Sequence, residues 1–273
     1  MIDILVDILK DTKEKNPLIH QITNYVTVND CANVTLAIGA SPVMADEIDE
    51  VEDFVDIASS LLLNIGTINK RVKKSIKKAS SKAKSINTPV ILDPVGVGAS
   101  KIRTSIVKEL LKESKVDVLR GNISEIKSIL KISSNTKGVD ASKDDFDSIE
   151  NLSFIAKKLS KKYKNIVAIT GEVDIISDGK RAVAIKNGND LLPKITGTGC
   201  MCSSLIASFC GTSNDKLFEA TVLGILVMGI AGEIASINAN KKNLGTFHKE
   251  LFNVIGNFNE EILRSMAKIK VLS

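Results

Sequence analysis

The feature that most constrains the fold is a regular alternation between short β-branched runs and longer stretches with helical spacing. Apolar runs such as 61–65 and 90–92 predict strands buried on both faces of a parallel sheet. Between them, stretches such as 70–86 repeat apolar side chains every three or four residues, which is typical of amphipathic helices. The repeated strand and helix therefore predict an α/β fold with a doubly wound, mostly parallel central sheet flanked by helices.

The individual elements follow from the same two periods. A first helix ends at Asn16-Pro17. The strands of the parallel part are predicted at 18–22, 42–45, 61–65, 90–92, 116–119 and 166–170. The helices between them are predicted at 29–38, 51–59, 70–86, 102–112, 124–130 and 146–159.

The last third of the chain changes pattern. Asp178-Gly179 is a turn-forming pair between two apolar runs, 173–177 and 181–185, and predicts an antiparallel hairpin at the edge of the sheet. After Gly199 we expect helices to the end of the chain, with breaks near Gly211 and Gly245. No linker or repeat is evident, so residues 1–273 are expected to form one domain.

Composition excludes several classes of protein. The chain is 44% hydrophobic and 25% charged, so it can bury a core and is not disordered. Its net charge of +5 comes mainly from lysines in helix-like stretches, which favours solvated helix faces. Aromatic residues make up 4% and Trp is absent, so no stacking surface for nucleic acid is expected.

The N-terminal sequence, the longest apolar stretch and the cysteine spacing predict where the protein is found. Asp3 and Asp7 interrupt the first apolar stretch, so no signal peptide is predicted. The apolar stretch 220–232 is shorter than the roughly 20 residues that span a bilayer. Four irregularly spaced cysteines do not form a disulfide framework. We therefore expect a cytoplasmic protein that binds neither a membrane nor nucleic acid.

The strongest chemical signal is the segment Thr196-Gly197-Thr198-Gly199-Cys200, which precedes an apolar helical stretch. Glycines allow close approach of a ligand to the backbone, and a helix N-terminus offers free N–H donors with partial positive charge. Gly197, Thr198 and Gly199 are therefore predicted to form an anion hole for a phosphoryl group. The alternative is a glycine-rich helix start that only packs tightly.

Cys200 lies in the first turn of that predicted helix. The helix N-terminus should lower its pKa and allow the thiolate to accept a proton from a substrate hydroxyl. The alternative is a small buried side chain, a role that fits Cys202 and Cys210 better. A zinc site is not expected, because His20 and His248 are far from any paired cysteines.

Three further strand ends carry polar groups. Asp93 follows a buried strand and could hold hydrated Mg²⁺, or only form an Asx turn. Arg120 follows the next strand as a candidate phosphate clamp, and Glu125 is a second carboxylate for the metal. Glu125 could equally be the partner of an Asn122 helix cap. Thr170 could bind a nucleotide phosphate. Together these groups suit metal-assisted phosphoryl transfer.

The order of these segments resembles the hydroxyethylthiazole kinase family of thiamine salvage, within the ribokinase-like superfamily. The resemblance covers most of the chain and is carried by seven segments: 22–24, 39–45, 63–67, 91–96, 120–122 followed by Glu125, 170–174 and 196–200. It implies a Mg²⁺-dependent transfer from ATP to the hydroxyl of 4-methyl-5-(2-hydroxyethyl)thiazole for thiamine biosynthesis. It also implies a homotrimer with its sites at the subunit interfaces.

The resemblance also assigns roles to single residues. Cys200 would lie beside the substrate hydroxyl, as a base or as a positioning group. The remaining roles are Asn24, Met44 and Gly197 at the thiazole, Arg120 and Thr170 at ATP, and Asp93 and Glu125 at the metal. Without the resemblance, Met44 would be read as a core residue.

Three alternatives stay open at this stage. A kinase of a hydroxymethylpyrimidine would share the chemistry, but Cys200 and segment 41–44 speak against it. A nucleotide-hydrate dehydratase would share the fold, but Asp in place of Cys200 would favour it. A catalytically silent nucleotide-binding regulator would be expected to lack Asp93, Glu125 or Cys200, and all three are present.

Overall fold

The central element of the computed structural model is a mixed sheet. The structure describes residues 1–133 and 148–272, and within these the sheet has nine strands in the order β2-β1-β3-β4-β5-β6-β7-β8-β9. Strands β1 to β6 pair in parallel, and β6 to β9 pair antiparallel. The strands are β1 Leu18–Ile22, β2 Ser41–Val43, β3 Ser60–Asn64, β4 Val90–Asp93, β5 Val118–Asn122, β6 Ile166–Thr170, β7 Asp174–Ser177, β8 Ala182–Ile185 and β9 Ile269–Leu272.

Helices cover both faces of this sheet. Alternate residues of one strand point to opposite faces, so Leu62 packs into one apolar cluster while Leu61 and Leu63 pack into the other. The predicted doubly wound α/β fold is confirmed. The helices are α1 Ile2–Lys15, α2 Val28–Ile38, α3 Val51–Ile57, α4 Lys70–Ile86, α5 Lys101–Glu113, α6 Ile123–Ser133, α7 Ile149–Tyr163, α8 Thr198–Thr212, α9 Leu217–Asn238, α10 Leu244–Gly256 and α11 Glu260–Met266.

The end of the chain departs from the prediction. The expected helix to the C-terminus is wrong at 269–272, which form β9 and pair antiparallel with β8, Ile185 opposite Ile269. The predicted hairpin of β7 and β8 exists, but β9 covers its outer side. A four-residue strand has almost no local signal, and its pairing partner lies far away in sequence. The predicted start of one helix at Phe146 lies outside the described residues.

Helix α9 lies in the core of one layer. By length and composition it is the one helix in the described part of the chain that could cross a membrane. However, 83% of its apolar window is buried inside the fold, between α8, α10 and the sheet. Apolarity on all sides is what a buried core helix requires.

The basic helix α4 shows where the positive charge is used. Its apolar side, including Val72 and Ile76, is buried against the sheet. Its lysines pair with acidic side chains of neighbouring helices: Lys73 and Lys77 with Glu109, Lys78 with Glu52, and Lys82 with Asp56. These exposed pairs neutralise the charge locally, as the interpretation of a solvated helix face expects.

Candidate active site

The N-terminus of α8 lies at the carboxyl ends of the parallel strands. The helix begins at Thr198, after the N-cap residue Gly197, whose φ of 91° lies in the left-handed region. A Cβ on Gly197 would come within 2.6 Å of Thr27 Cγ2. Glycine is therefore needed here both for the backbone conformation and for space. The first N–H groups of α8 have no partner within the helix and remain free as donors.

Two amide side chains hold the thiol of Cys200. The Sγ atom lies 3.3 Å from Asn24 Nδ2 and 3.2 Å from Asn64 Nδ2. Asn24 Nδ2 also donates to Asn64 Oδ1 at 3.1 Å. Asn64 Nδ2 donates to Asp93 Oδ2 at 3.0 Å, and the Ser203 hydroxyl donates to the same oxygen at 2.8 Å. One hydrogen-bond network therefore joins the thiol to a buried carboxyl group.

That carboxyl group has an unused oxygen. Asp93 is fully buried, and its Oδ1 has no hydrogen-bond partner among the described residues. Burial raises the pKa of Asp93 to about 6; the positive charge of Arg120 opposes this rise, and the negative charge of Glu125 adds to it. Such an oxygen is costly unless a ligand or cation satisfies it.

Asp93 and Glu125 fit a Mg²⁺ site on these grounds. Magnesium is usually bound by one or two carboxylates together with water and substrate phosphates. Residues 1–133 and 148–272 contain no group of three or more His, Cys, Asp or Glu side chains that could hold a metal ion. A pair of carboxylates beside a phosphate site does not need a third protein ligand.

Glu125 also has a structural role. Its Oε2 accepts from the main-chain N–H of Asn122 at 2.9 Å, and Asn122 Oδ1 accepts from the N–H of Glu125 at 2.9 Å. This is a capping box at the start of α6. Its Oε1 accepts from Gly96 N at 2.9 Å, in the turn after β4. The helix-capping interpretation is therefore correct, and it still leaves the carboxylate beside Asp93.

The guanidinium group of Arg120 lies between three of the predicted residues. Its Nη2 donates to Thr170 Oγ1 at 2.8 Å, and its Nη1 is 3.8 Å from Asp93 Oδ2. A Cβ on Gly199 would lie 2.9 Å from Nη1, so this glycine makes room for the side chain. Burial is the largest single influence and disfavours the charge of Arg120, but the surrounding groups, Asp93 first and Glu125 among them, together raise the guanidinium pKa. Within the part of the chain that the structure describes, the buried Nε has no hydrogen-bond partner, which leaves a donor unused.

A cavity of about 820 Å³ opens beside Arg120. Strand ends and the start of α8 form its polar wall, and α9 contributes apolar side chains. Such a division suits a ligand with a charged end and an aromatic end, as in a nucleotide. Its lining includes Arg120, Thr170, Asp174, Gly199, Ile225 and Met228.

Asp174 is the second buried carboxyl group of the site. It begins β7, and its Oδ1 accepts from Gly171 N at 3.0 Å, which fixes the turn after Thr170. Burial raises the pKa of Asp174 to about 7, against the opposing effect of that hydrogen bond. A carboxyl group of this kind holds a proton close to neutral pH.

The expected ionisation of Cys200 is wrong. The residue does lie in the first turn of α8, but its thiol pKa is raised, not lowered. Burial is the largest cause, and the negative charge of Asp93 adds to it, whereas hydrogen bonds from Asn24 and Asn64 only oppose the rise. Desolvation of the thiolate outweighs the helix N-terminus here. Cys200 is a neutral thiol at neutral pH.

Most of the predicted site residues come together. Asn24 contacts Cys200, and Arg120 contacts Asp93 and Thr170 and lies against Gly199. Asn64 links Cys200 to Asp93. Gly197 caps the adjoining helix, Thr198 begins it, and Glu125 closes the turn after β4. Met44 follows the short edge strand β2 and is partly exposed.

Three residues of the site carried no predicted role. Asn64 ends β3 as a polar residue after a buried apolar run, the same signal that identified Asp93. Asp174 follows a strand end by four residues and could have been found in the same way. Ser203 lies within the apolar face of α8, where the sequence has no signal that distinguishes it from other buried serines.

Comparison with solved structures defines the class of protein first. A ribokinase-like superfamily protein from Enterococcus faecalis V583 superposes with a TM-score of 0.64, covering 95% of each chain at 12% identity. Similarity at that identity shows the fold alone. This chain therefore has a ribokinase-like fold, with a helix N-terminus and an arginine beside a large cavity at the strand ends.

The family follows from closer relatives. Residues 9–261 match the model of the hydroxyethylthiazole kinase family, and this chain belongs to that family. It is 54% identical over 260 residues to hydroxyethylthiazole kinase from Clostridium tetani (strain Massachusetts / E88), covering 94% of each chain. The structure of a hydroxyethylthiazole kinase protein from Pyrococcus horikoshii OT3 superposes with a TM-score of 0.91 at 36% identity, covering 99% of this chain and 100% of that one.

Proposed function

We propose that this protein transfers the γ-phosphoryl group of ATP to the hydroxyl of 4-methyl-5-(2-hydroxyethyl)thiazole. Family membership supports the substrate pair. The observation that carries the proposal is the position of the α8 N-terminus. In its first turn, Gly199 lies against Arg120 and lines the nucleotide-sized cavity. The next residue, Cys200, contacts Asn24 and Asn64. A donor and an acceptor bound on these two sides would meet at one set of free N–H groups.

The first turn of α8 supplies charge stabilisation. The N–H groups of Thr198, Gly199 and Cys200 are free of helix partners, and the helix dipole favours negative charge beside them. They can hold the oxygens of the phosphoryl group during transfer. Arg120 adds a fixed positive charge from the side of the cavity, and Thr170 holds its guanidinium in place.

On the acceptor side, the main contribution to the reaction is the orientation of the substrate hydroxyl. Cys200 is a neutral thiol held by two amides, so it positions the substrate hydroxyl and does not act as a strong base. Asn24 and Gly197 belong to the same side, and Met44 is proposed to close it. Holding the hydroxyl in line with the phosphoryl group lowers the barrier without a change in protonation.

Asp93 and Glu125 are the residues that would hold Mg²⁺. When bound, Mg²⁺ neutralises charge on the phosphates of ATP. Asp93 offers its unpartnered Oδ1, and Glu125 keeps the turn between them in place through Gly96 N. Both carboxylates lie on elements fixed by the sheet, so their spacing does not depend on the substrate.

The proposal includes a cytoplasmic homotrimer with the acceptor site at the subunit interface. Tyr25 and Val26 directly follow Asn24, and they are 76% and 59% exposed. Two large exposed side chains beside a polar site are a surface that a second subunit could cover. Light scattering after gel filtration should give three times the 29.4 kDa chain mass; a monomer mass would exclude this part.

An ADP-release assay tests the activity. Wild-type protein is given ATP and Mg²⁺ with either the hydroxyethylthiazole or a hydroxymethylpyrimidine, and EDTA is added in a parallel series. Turnover with the thiazole that EDTA abolishes supports the proposal. Turnover with the pyrimidine alone would overturn the acceptor, and ATP binding without turnover of either would point to a lyase or a regulator. Asp93→Asn, which keeps the shape of the side chain, should need more Mg²⁺ for half-maximal rate.

A further inference from the structure

We propose that Arg103 is a positioning residue for this reaction, a role that rests on the proposed function. Its guanidinium group ties the loop after β3 to the loop after β4. It thereby supports, from the two loops, the hydrogen-bonded pair formed by the Asn64 amide on the acceptor side and the Asp93 carboxylate on the metal side. No role was predicted for Arg103 from the sequence, and it does not line the cavity beside Arg120.

The two hydrogen bonds of Arg103 go to equivalent places on neighbouring strands. Nη1 donates to Val95 O at 2.6 Å, and Nη2 donates to Gly66 O at 2.5 Å. Asn64 and Asp93 are opposite each other in the register of β3 and β4. Gly66 and Val95 each lie two residues beyond that pair. One planar guanidinium therefore bridges both loops directly outside the two side chains that face each other in the site.

The glycines of the two loops fit this arrangement. Gly96 has a φ of 70°, and a Cβ there would lie 2.6 Å from Arg103 Nη1. A Cβ on Gly66 would lie 3.0 Å from both Asn24 Cβ and Asn64 Oδ1. Gly96 thus packs against the guanidinium, and Gly66 packs against the side chains of Asn24 and Asn64. Because these contacts are close, a shift of either loop would also move residues of the site.

Other contacts between the loops are weaker. Past the paired residues of β3 and β4, the described backbone link is Ile65 N to Asp93 O at 3.3 Å. Glu125 holds Gly96 N from the α6 side and does not touch the β3 loop. The Arg103 bridge is therefore the short, charge-assisted connection between them. A lysine has no planar fork that could serve two carbonyls in this geometry.

The consequence is a specific kinetic pattern. Loss of the bridge leaves the hydrogen-bonded pair of Asn64 and Asp93 without support from the two loops beyond it. The Arg120–Thr170 contact in the cavity does not involve Arg103. Arg103→Ala and Arg103→Lys should lower kcat by about 10- to 100-fold, with the ATP KM within about twofold of wild type. A substitution that only destabilises the fold would lower the melting temperature without lowering kcat selectively relative to the ATP KM.

Chemical rescue makes the test sharper. Free guanidinium at concentrations far below denaturing ones should restore several-fold activity to Arg103→Ala, and equal concentrations of methylammonium or sodium chloride should not. Arg264→Ala is the matched control, because Arg264 forms surface ion pairs with Asp3 and Glu260. It should keep wild-type kcat and show no response to guanidinium. A folded Arg103→Ala with wild-type kcat, or with a loss that guanidinium does not relieve, would overturn the proposal.

A second measurement needs no turnover. In Arg103→Lys, which keeps the charge, amide hydrogen exchange should be faster in both loops, 65–67 and 94–98, and unchanged in α11. Unchanged exchange in either loop would overturn the bridge. This readout separates failure of the inference from failure of the proposed activity, because the latter appears as an inactive wild-type protein.

Discussion

Arg120 on β5 donates a hydrogen bond of 2.8 Å from Nη2 to the hydroxyl of Thr170 on the adjacent β6. Its other terminal nitrogen lies 3.8 Å from Asp93 on β4, on the opposite side. Three neighbouring strands thus fix one guanidinium between a carboxylate and a hydroxyl. This placement leaves the group rigid at the wall of the cavity, where a phosphate chain would meet it.

Arg120→Ala should weaken ATP binding. Removal of charge-assisted hydrogen bonds to phosphate costs about 1.5–3 kcal/mol, so the ATP KM should rise by about tenfold or more. The KM for the thiazole should change much less, since Asn24 and Asn64 are not in contact with Arg120. Steady-state kinetics with each substrate varied in turn measure both values. Unaltered ATP affinity would show that Arg120 does not bind the phosphates.

Gly199→Ala should have the same effect through a clash. The new Cβ would lie 2.9 Å from Nη1 and 3.2 Å from Nη2 of Arg120, so the guanidinium must move. Gly245→Ala is the control, because it is also helical and a Cβ there meets nothing within 4 Å. Alanine gains about 1 kcal/mol of helix propensity at an exposed helical site. A loss of ATP affinity in Gly199→Ala alone would therefore be due to Arg120, and equal affinities in both variants would contradict this account.

Cys200 should react as a neutral thiol. Burial and Asp93 raise its pKa, so alkylation by iodoacetamide should stay slow up to a higher pH than for an exposed cysteine. Asp93→Asn removes the nearby negative charge and should shift the alkylation profile to lower pH. Mass spectrometry of the modified peptide follows the rate. Half-maximal reactivity below pH 8 in the wild type would instead show that Cys200 ionises easily, as the helix N-terminus alone predicts.

Cys200→Ala provides the kinetic counterpart. If Cys200 positions the acceptor hydroxyl, this variant should lower kcat more than it raises KM. The pH dependence of kcat should keep its shape, because no thiol ionises in the working range. An unchanged kcat would show that Cys200 does not take part in the reaction. Loss of one limb of the pH profile of kcat would show that Cys200 acts as a base.

Asp174 should make stability depend on pH. Its pKa is about 7 in the folded protein and near 3.8 when unfolded, so the folded state holds the extra proton between these values. The contribution to unfolding free energy is therefore complete below pH 4 and is lost as the pH rises to 7, at up to about 1.4 kcal/mol per pH unit. Asp174→Asn has no carboxyl group to titrate, so its unfolding free energy should rise relative to that of the wild type as the pH increases from 4 to 7. Urea unfolding of both proteins measures the difference, and a constant difference would contradict the shifted pKa.

Local pattern predicted much of this site. Asp93, Arg120 and Thr170 could be found because each directly follows a recognisable apolar run: Asp93 and Thr170 end their strands, and Arg120 lies in the second half of β5. Parallel strands bring their carboxyl ends together. The glycines at 197 and 199 could be found because a helical stretch follows directly. These inferences need only the period of the apolar residues and the direction of the chain.

Contacts between distant segments could not be found in this way. Asn64 joins Cys200 to Asp93 because three separate elements converge on it, and β9 forms because β8 offers an open edge. Arg103 joins the neighbouring loop after β4 to the loop after β3, which a helix and a strand separate from it in sequence.

Short-range periodicity in the sequence is enough to predict the strands and helices up to β8, their buried faces and most of the polar groups at the strand ends. Only the tertiary structure decided the protonation of those groups. Burial raises the pKa of Cys200, Asp93 and Asp174, since each charged form loses its hydration when the layers close around it. That loss depends on the packing of all the neighbours at once, and no single segment of the chain contains it.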